Sequence, residues 1–72
     1  MLTDEKAKKN IAKNVSRLRG DRSRSWLARQ VGTYTINISR IEAEKHLPQS
    51  GLLARLAEAL GVTADDLLGK VS

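Results

Sequence analysis

Apolar residues along this chain fall into short runs of helical period, and each run is closed by a glycine or a proline. Ala7, Ile11, Val15 and Leu18 recur at intervals of four, four and three residues, which makes one apolar stripe on a helix. Asp4 and Glu5 ahead of the stripe suit the positive end of a helix dipole. Gly20 after Arg19 is a stop, so a first helix is predicted over about 4–19. Ser23 is a candidate N-cap for a second helix, Arg24 to Val31, with Leu27 and Val31 on one face, Ala28 beside them and Gly32 at its end. A third helix runs from about Tyr34 to Glu42, with Ile38 and Ile41 spaced i,i+3. In the loop AEKHLPQ that follows, Pro48 blocks helix continuation and biases Leu47 towards extended backbone. The fourth helix, about Ser50 to Leu60, carries Leu52, Leu53, Leu56, Ala57 and Leu60 and stops at Gly61. Thr63-Ala-Asp-Asp66 has the form of a capping box for a fifth helix over about 64–68, ended by Gly69. No segment alternates as a strand does, and there is no repeat, linker or low-complexity tract. The expected fold is all-α, with five short helices in a single domain spanning 1–72.

The junction between the second and third helices is the informative one. Two helices joined by a three- or four-residue turn containing Gly cross at a steep angle. Such a crossing needs a small residue where the helices touch, a residue tolerant of positive φ in the turn, and an apolar plug from the second helix. Ala28, Gly32 and Ile38 meet those needs, at spacings of four and ten residues from Ala28. Leu27, Val31 and Ile41 complete a helix-turn-helix core. A helical hairpin of similar length remains the alternative.

Composition narrows the function. With 72 residues the chain has room for one small core. Its aromatics are one Trp and one Tyr, so that core is aliphatic. The absence of Cys excludes disulfides and thiolate metal sites, and the single His46 cannot build a metal cluster. No apolar run approaches a membrane span, and MLTDEKAKKN lacks the apolar stretch of a secretory signal, so a cytoplasmic location is expected. Lys and Arg number 13 against 8 Asp and Glu, a formal charge of +5 with a pI near 10.1. The excess is concentrated. Residues 1–24 hold eight basic side chains (Lys6, Lys8, Lys9, Lys13, Arg17, Arg19, Arg22 and Arg24) against Asp4, Glu5 and Asp21. A pI above 9 with clustered charge is the electrostatic footprint of a nucleic-acid binder. Arg22, Ser23 and Arg24 precede or open the second helix, where free N–H groups and arginines suit a phosphate; a solvated basic corner is the alternative. Lys9 and Lys13 are further candidates for phosphate.

The segment LARQVGTYTINISRIE, then Pro48, then LLARLAEALGVTADDLL, resembles the lambda-repressor-like (Cro/C1, XRE-type) helix-turn-helix domain. The likeness runs ungapped from about Ser23 to Leu68, and Ile11, Val15, Leu18 and Arg19 fit its first helix in phase. It implies a five-helix fold that binds double-stranded operator DNA as a homodimer, with the third helix in the major groove. Tyr34, Thr35, Ile36 and Arg40 then face base edges. Arg40 can bridge O6 and N7 of guanine, and Ile36 can meet a thymine methyl. A phosphate contact or a pair with Glu44 is the alternative for Arg40. Asn37 and Ser39 flank as phosphate candidates, and Lys45 and His46 lie in a loop that touches the DNA backbone in this family. Leu52, Leu67, Leu68 and Val71 are expected to form a dimer face. The resemblance also sets an Arg late in the first helix against the Glu that ends the third, here Arg19 and Glu42. At about 100° per residue, Arg19 lies some 80° from Ile11 and 40° from Val15, at the edge of the buried stripe. Counting back across the loop would select Arg17 instead.

Several positions depart from the family pattern. The connection RGDRS is about two residues short and lacks the usual apolar residue before the cap. Trp26 replaces a charged surface residue, either packing against the first helix or resting on sugar-phosphate. Tyr34 replaces a small capping residue, which makes Thr33 the alternative cap of the third helix. Glu44 replaces a Gly. The leading function is a sequence-specific transcriptional regulator, a phage- or prophage-type repressor, either whole or as the N-terminal domain of a longer chain. The alternatives are an antitoxin-like module that binds a toxin protein and autoregulates its operon, and a protein-interaction domain of the same fold. No catalytic constellation, cofactor, metal or small-molecule substrate is expected.

Overall fold

Three helices begin at a capping side chain and two end at a left-handed glycine, which satisfies groups that a helix leaves free at its ends. The computed structural model describes residues 2–69, and in it α1 spans Asp4–Arg19, α2 Arg24–Val31, α3 Thr35–Glu42, α4 Ser50–Leu60 and α5 Ala64–Leu68. There is no strand among the described residues. Thr3 Oγ1 accepts from the Lys6 amide at 3.1 Å, and Ser23 Oγ accepts from the Trp26 amide at 2.9 Å. Thr63 and Asp66 exchange bonds in both directions, a complete capping box. The cap of α3 is Tyr34, which makes no side-chain capping bond. Thr33, the alternative cap, is occupied otherwise: its hydroxyl accepts from Asn37 Nδ2 at 2.8 Å.

The turn between α2 and α3 depends on Gly32, at φ 71° and ψ 38°. The next amide, Thr33, donates back to the Ala28 carbonyl at 2.9 Å, the bond that closes a helix through a left-handed residue. Beyond α3 the same geometry recurs without glycine. Glu44 has φ 63°, the Lys45 amide reaches Arg40 O at 2.9 Å, and the Glu44 amide reaches Ile41 O at 3.2 Å.

α1 packs against α3, α4 and α5, and α4 closes the core against α2 and α5. Ile11, Val15, Leu27, Val31, Ile38, Ile41, Leu56 and Leu67 are fully buried together, with Ala28 and Ala57 filling the close approaches. Trp26, Leu52, Leu53, Leu60 and Leu68 are half-buried around them. The expected dimer face is corrected in one respect: Leu67 points into the core and has no surface to offer a partner. Val71 lies outside the described residues.

Among the described residues, Asn14 is a polar residue buried as deeply as the core. Its Nδ2 donates to the carbonyls of Asp66, Leu67 and Gly69 at 3.1, 2.9 and 3.0 Å. Asn10, one turn earlier, donates to the Leu68 carbonyl at 2.9 Å. A five-residue helix closes few bonds of its own, so the carbonyls at its end need outside donors. Two asparagines of α1 supply them and thereby dock α5.

Candidate nucleic-acid interface

The outer face of α3 follows from the inner one. Ile38 and Ile41 turn into the core, which leaves Thr35, Ile36 and Arg40 turned outwards beside the cap residue Tyr34. Tyr34 is 78% exposed and Ile36 55% exposed, and burial within this chain does not account for side chains that open. Arg40 is exposed and forms no ion pair with Glu44 among the described residues. Asn37 and Ser39 are half-buried at the flanks, and Lys45 and His46 are exposed in the loop beyond.

The start of α2 abuts the start of α3, with Thr35 Oγ1 and Ser25 Oγ 3.3 Å apart. Ser25 carries no distinguishing signal in the sequence, yet its hydroxyl bonds to Thr35 on the outward turn of α3. Ser23 Oγ accepts the capping bond from the Trp26 amide, which leaves its O–H free to donate to a phosphate. Arg22 is tied down: its Nε and Nη2 donate to the Arg19 and Leu18 carbonyls at 3.2 and 2.9 Å, and its guanidinium lies 4.1 Å from the centre of the Trp26 ring. These contacts close the end of α1 and cover a half-buried indole at the shortened connection. Arg22 remains exposed alongside these contacts, and Trp26 packs against the core.

Beneath this surface lies the Glu42 carboxylate, its side chain 4% exposed. Arg19 grips it with two parallel bonds, Nε to Oε2 at 2.8 Å and Nη2 to Oε1 at 2.9 Å. Arg17 is directed elsewhere, with its Nη2 donating to Asn14 Oδ1 at 3.2 Å. A third group was not foreseen: Arg24 Nε also donates to Glu42 Oε1, at 3.1 Å. Burial pushes the Glu42 carboxyl up, but hydrogen bonds from Arg19 and Arg24 outweigh it and hold the group below the usual carboxylate range. The remaining Arg19 nitrogen, Nη1, donates to the Arg22 carbonyl at 2.6 Å and fixes the loop that leads into α2. A shallow cleft beside Glu42, lined by Lys13, Arg17 and Glu44 among others, separates α1 from the end of α3.

Lys9 and Lys13 are exposed on α1. Among the described residues no group of three or more His, Cys, Asp or Glu could hold a metal ion, and no helix is long and apolar enough to cross a membrane.

No protein-family model matches the chain, and no curated protein matches its sequence. Among solved structures, the crystal structure of a hypothetical transcription factor, NHTF, from Neisseria is similar over 97% of this chain and 84% of its own, with 30% identity and a TM-score of 0.83.

Proposed function

This chain belongs to the same family as the hypothetical transcription factor from Neisseria, and from that premise we propose that it is a sequence-specific regulator that binds double-stranded DNA through α3. The observation that carries the reading is the outward face of α3, where Tyr34 and Ile36 stand open beside Thr35 and Arg40. A major groove accepts a helix of this width, and its base edges offer a methyl to an apolar side chain and two acceptors to an arginine. Arg40 reads guanine, and Ile36 meets a thymine methyl. Arg22, Ser23, Arg24, Asn37, Ser39, Lys45 and His46 fix the register on phosphates around that face, with Lys9 and Lys13 adding charge from α1. The protein acts as a dimeric repressor of the lambda-repressor-like type on a palindromic operator. Leu52 and Leu68, half-buried on α4 and α5, meet their counterparts across the two-fold axis. The long dimension of the domain, 32 Å, is comparable with the ~34 Å between half-sites one helical turn apart. Catalysis and cofactors have no part in this reading.

Two measurements test it. With most of the phosphate-facing groups of a dimer engaged, log affinity against log salt falls with a slope on the order of −5 to −9; a slope near zero refutes DNA binding. On a selected site, Arg40→Ala relaxes preference at one base pair per half-site, whereas Arg24→Ala weakens all sequences about equally. Identical base-substitution profiles for the two variants would remove the division between reader and positioner. Capture of a folded toxin-like protein without DNA binding would favour the antitoxin alternative.

A further inference from the structure

Glu42 holds two arginines, and only one of them is needed to anchor α3. Arg19 already meets the carboxylate with a planar, two-bond fork and is itself mostly buried, at 14% exposure. Arg24 approaches from the other side through Nε alone, and its side chain is 51% exposed. An arginine has five N–H donors in a rigid plane. With Nε committed to Glu42, one Nη hydrogen of Arg24 lies on the Nε side, and the planarity of the group turns the other three donors away from the carboxylate. Arg24 is also the first residue of α2, next to the Ser23 cap. Its free donors are therefore held at the surface where α2 and α3 come together.

We infer that Glu42 is a positioning residue for DNA binding: it orients Arg24 so that the outer edge of the guanidinium meets a backbone phosphate. The inference rests on the DNA-binding reading above and adds a claim of opposite sign to simple electrostatics. A carboxylate near a polyanion repels it, so neutralising Glu42 should strengthen binding if charge alone matters. If Glu42 fixes the geometry of Arg24, neutralising it should weaken binding despite the gain in net positive charge. A flexible arginine must be ordered when it meets a phosphate, and the Glu42 bond removes that cost in advance.

The test is binding to a duplex of about 20 base pairs of arbitrary sequence at low salt, where phosphate contacts dominate. Glu42→Gln, checked for retained helicity, should lower affinity roughly 3- to 10-fold, the loss expected from one misplaced charge-assisted contact. In an Arg24→Ala background the same change should raise affinity, because only the charge effect remains. Arg24→Lys leaves the Arg19–Glu42 fork intact, so it gives a reading even where Glu42→Gln unfolds. A single ammonium cannot grip Glu42 and a phosphate through separate, fixed donors, so Arg24→Lys should lose nearly as much as Arg24→Ala. In NMR spectra of the unaltered protein, the Arg24 Nε–H signal should stay protected from exchange when DNA is added. Rising affinity in Glu42→Gln, or an Arg24→Lys variant that binds like wild type, would overturn the inference while leaving DNA binding in place. Failure of the unaltered protein to bind the duplex would instead remove DNA binding and the inference together.

Discussion

Replacing Asn14 should unseat α5. The side chain is buried, and its amide serves three carbonyls at the end of α5 at 2.9–3.1 Å. Removing a donor from a buried carbonyl costs about 1–3 kcal/mol per stranded group. Leu67 O is buried at its bond, whereas those to Asp66 and Gly69 are partly buried, so water can replace the donor at the latter two more readily. One full penalty and two partial ones put Asn14→Ala at about 2–4 kcal/mol. A chain of this length has a total stability of about 4–11 kcal/mol, so the variant loses a large share of it. Asn14→Leu separates the causes. It shares the branched outline of Asn with some added bulk and cannot donate, so it should cost nearly as much as alanine if the hydrogen bonds matter and less if filling the space does. At about 4–8 °C per kcal/mol, both variants should melt roughly 8–32 °C below wild type. Urea denaturation followed by circular dichroism gives the free energies, and amide exchange in residues 64–68 should quicken first. An Asn14→Leu variant within 0.5 kcal/mol of wild type, or unchanged exchange in α5, would refute this docking role.

Arg19→Ala and Glu42→Ala should each cost more than about 1.5 kcal/mol, since removing one partner strands a poorly solvated charge. Arg17→Ala should cost less, and a double-mutant cycle should couple Glu42 to Arg19 and not to Arg17. The pH dependence follows from the same carboxylate. The folded-state pKa of Glu42 is lowered, so its contribution is fully present above the unfolded value near 4.5 and disappears as pH falls through the folded value. Asp66, lowered by its bonds with the Thr63 amide and hydroxyl, acts in the same direction. Urea midpoints should therefore fall as pH drops below about 4.5, and the Glu42→Gln variant should show a shallower fall. Glu44→Gly should raise stability by about 0.5 kcal/mol, because relief of a left-handed side chain exceeds the added freedom of the unfolded chain; a lower melting temperature would show that the Glu44 side chain matters more than its backbone.

The helix limits were legible because local chemistry sets them. Ser23, Thr63, Gly20, Gly32 and Gly61 each announce a terminus, and the i,i+3 and i,i+4 spacing fixes the buried faces of α1 and α3. Helical phase put Arg19 at the rim of the buried stripe, where burial dictates which side turns inwards whatever the loop length. The parts that escaped are those made by contacts distant in sequence. Asn14 did leave a trace: it lies some 60° from Ile11, inside the apolar stripe, and a polar residue there calls for a buried partner. Its partner is the end of a helix more than fifty residues away, and nothing local names that. Leu67 could not be assigned to a side because five residues span less than two turns, too few for a period to select a face. The Arg24 bond to Glu42 and the Arg22 stack on Trp26 depend on how α2 and α3 approach the end of α1, and spacing along the chain does not specify that. Thr33 and Tyr34 compete for one cap in the sequence, and in the fold the cap is Tyr34 while the Thr33 hydroxyl accepts from Asn37.

The most direct test of DNA recognition is selection of bound duplexes from a random pool by the purified protein. Recognition through α3 by a symmetric pair predicts a palindromic consensus, with half-site centres about 34 Å apart and a guanine in each half that loses its preference in Arg40→Ala. A pool that remains unenriched after repeated rounds, or a consensus unaffected by changes at Thr35, Ile36 and Arg40, would contradict it.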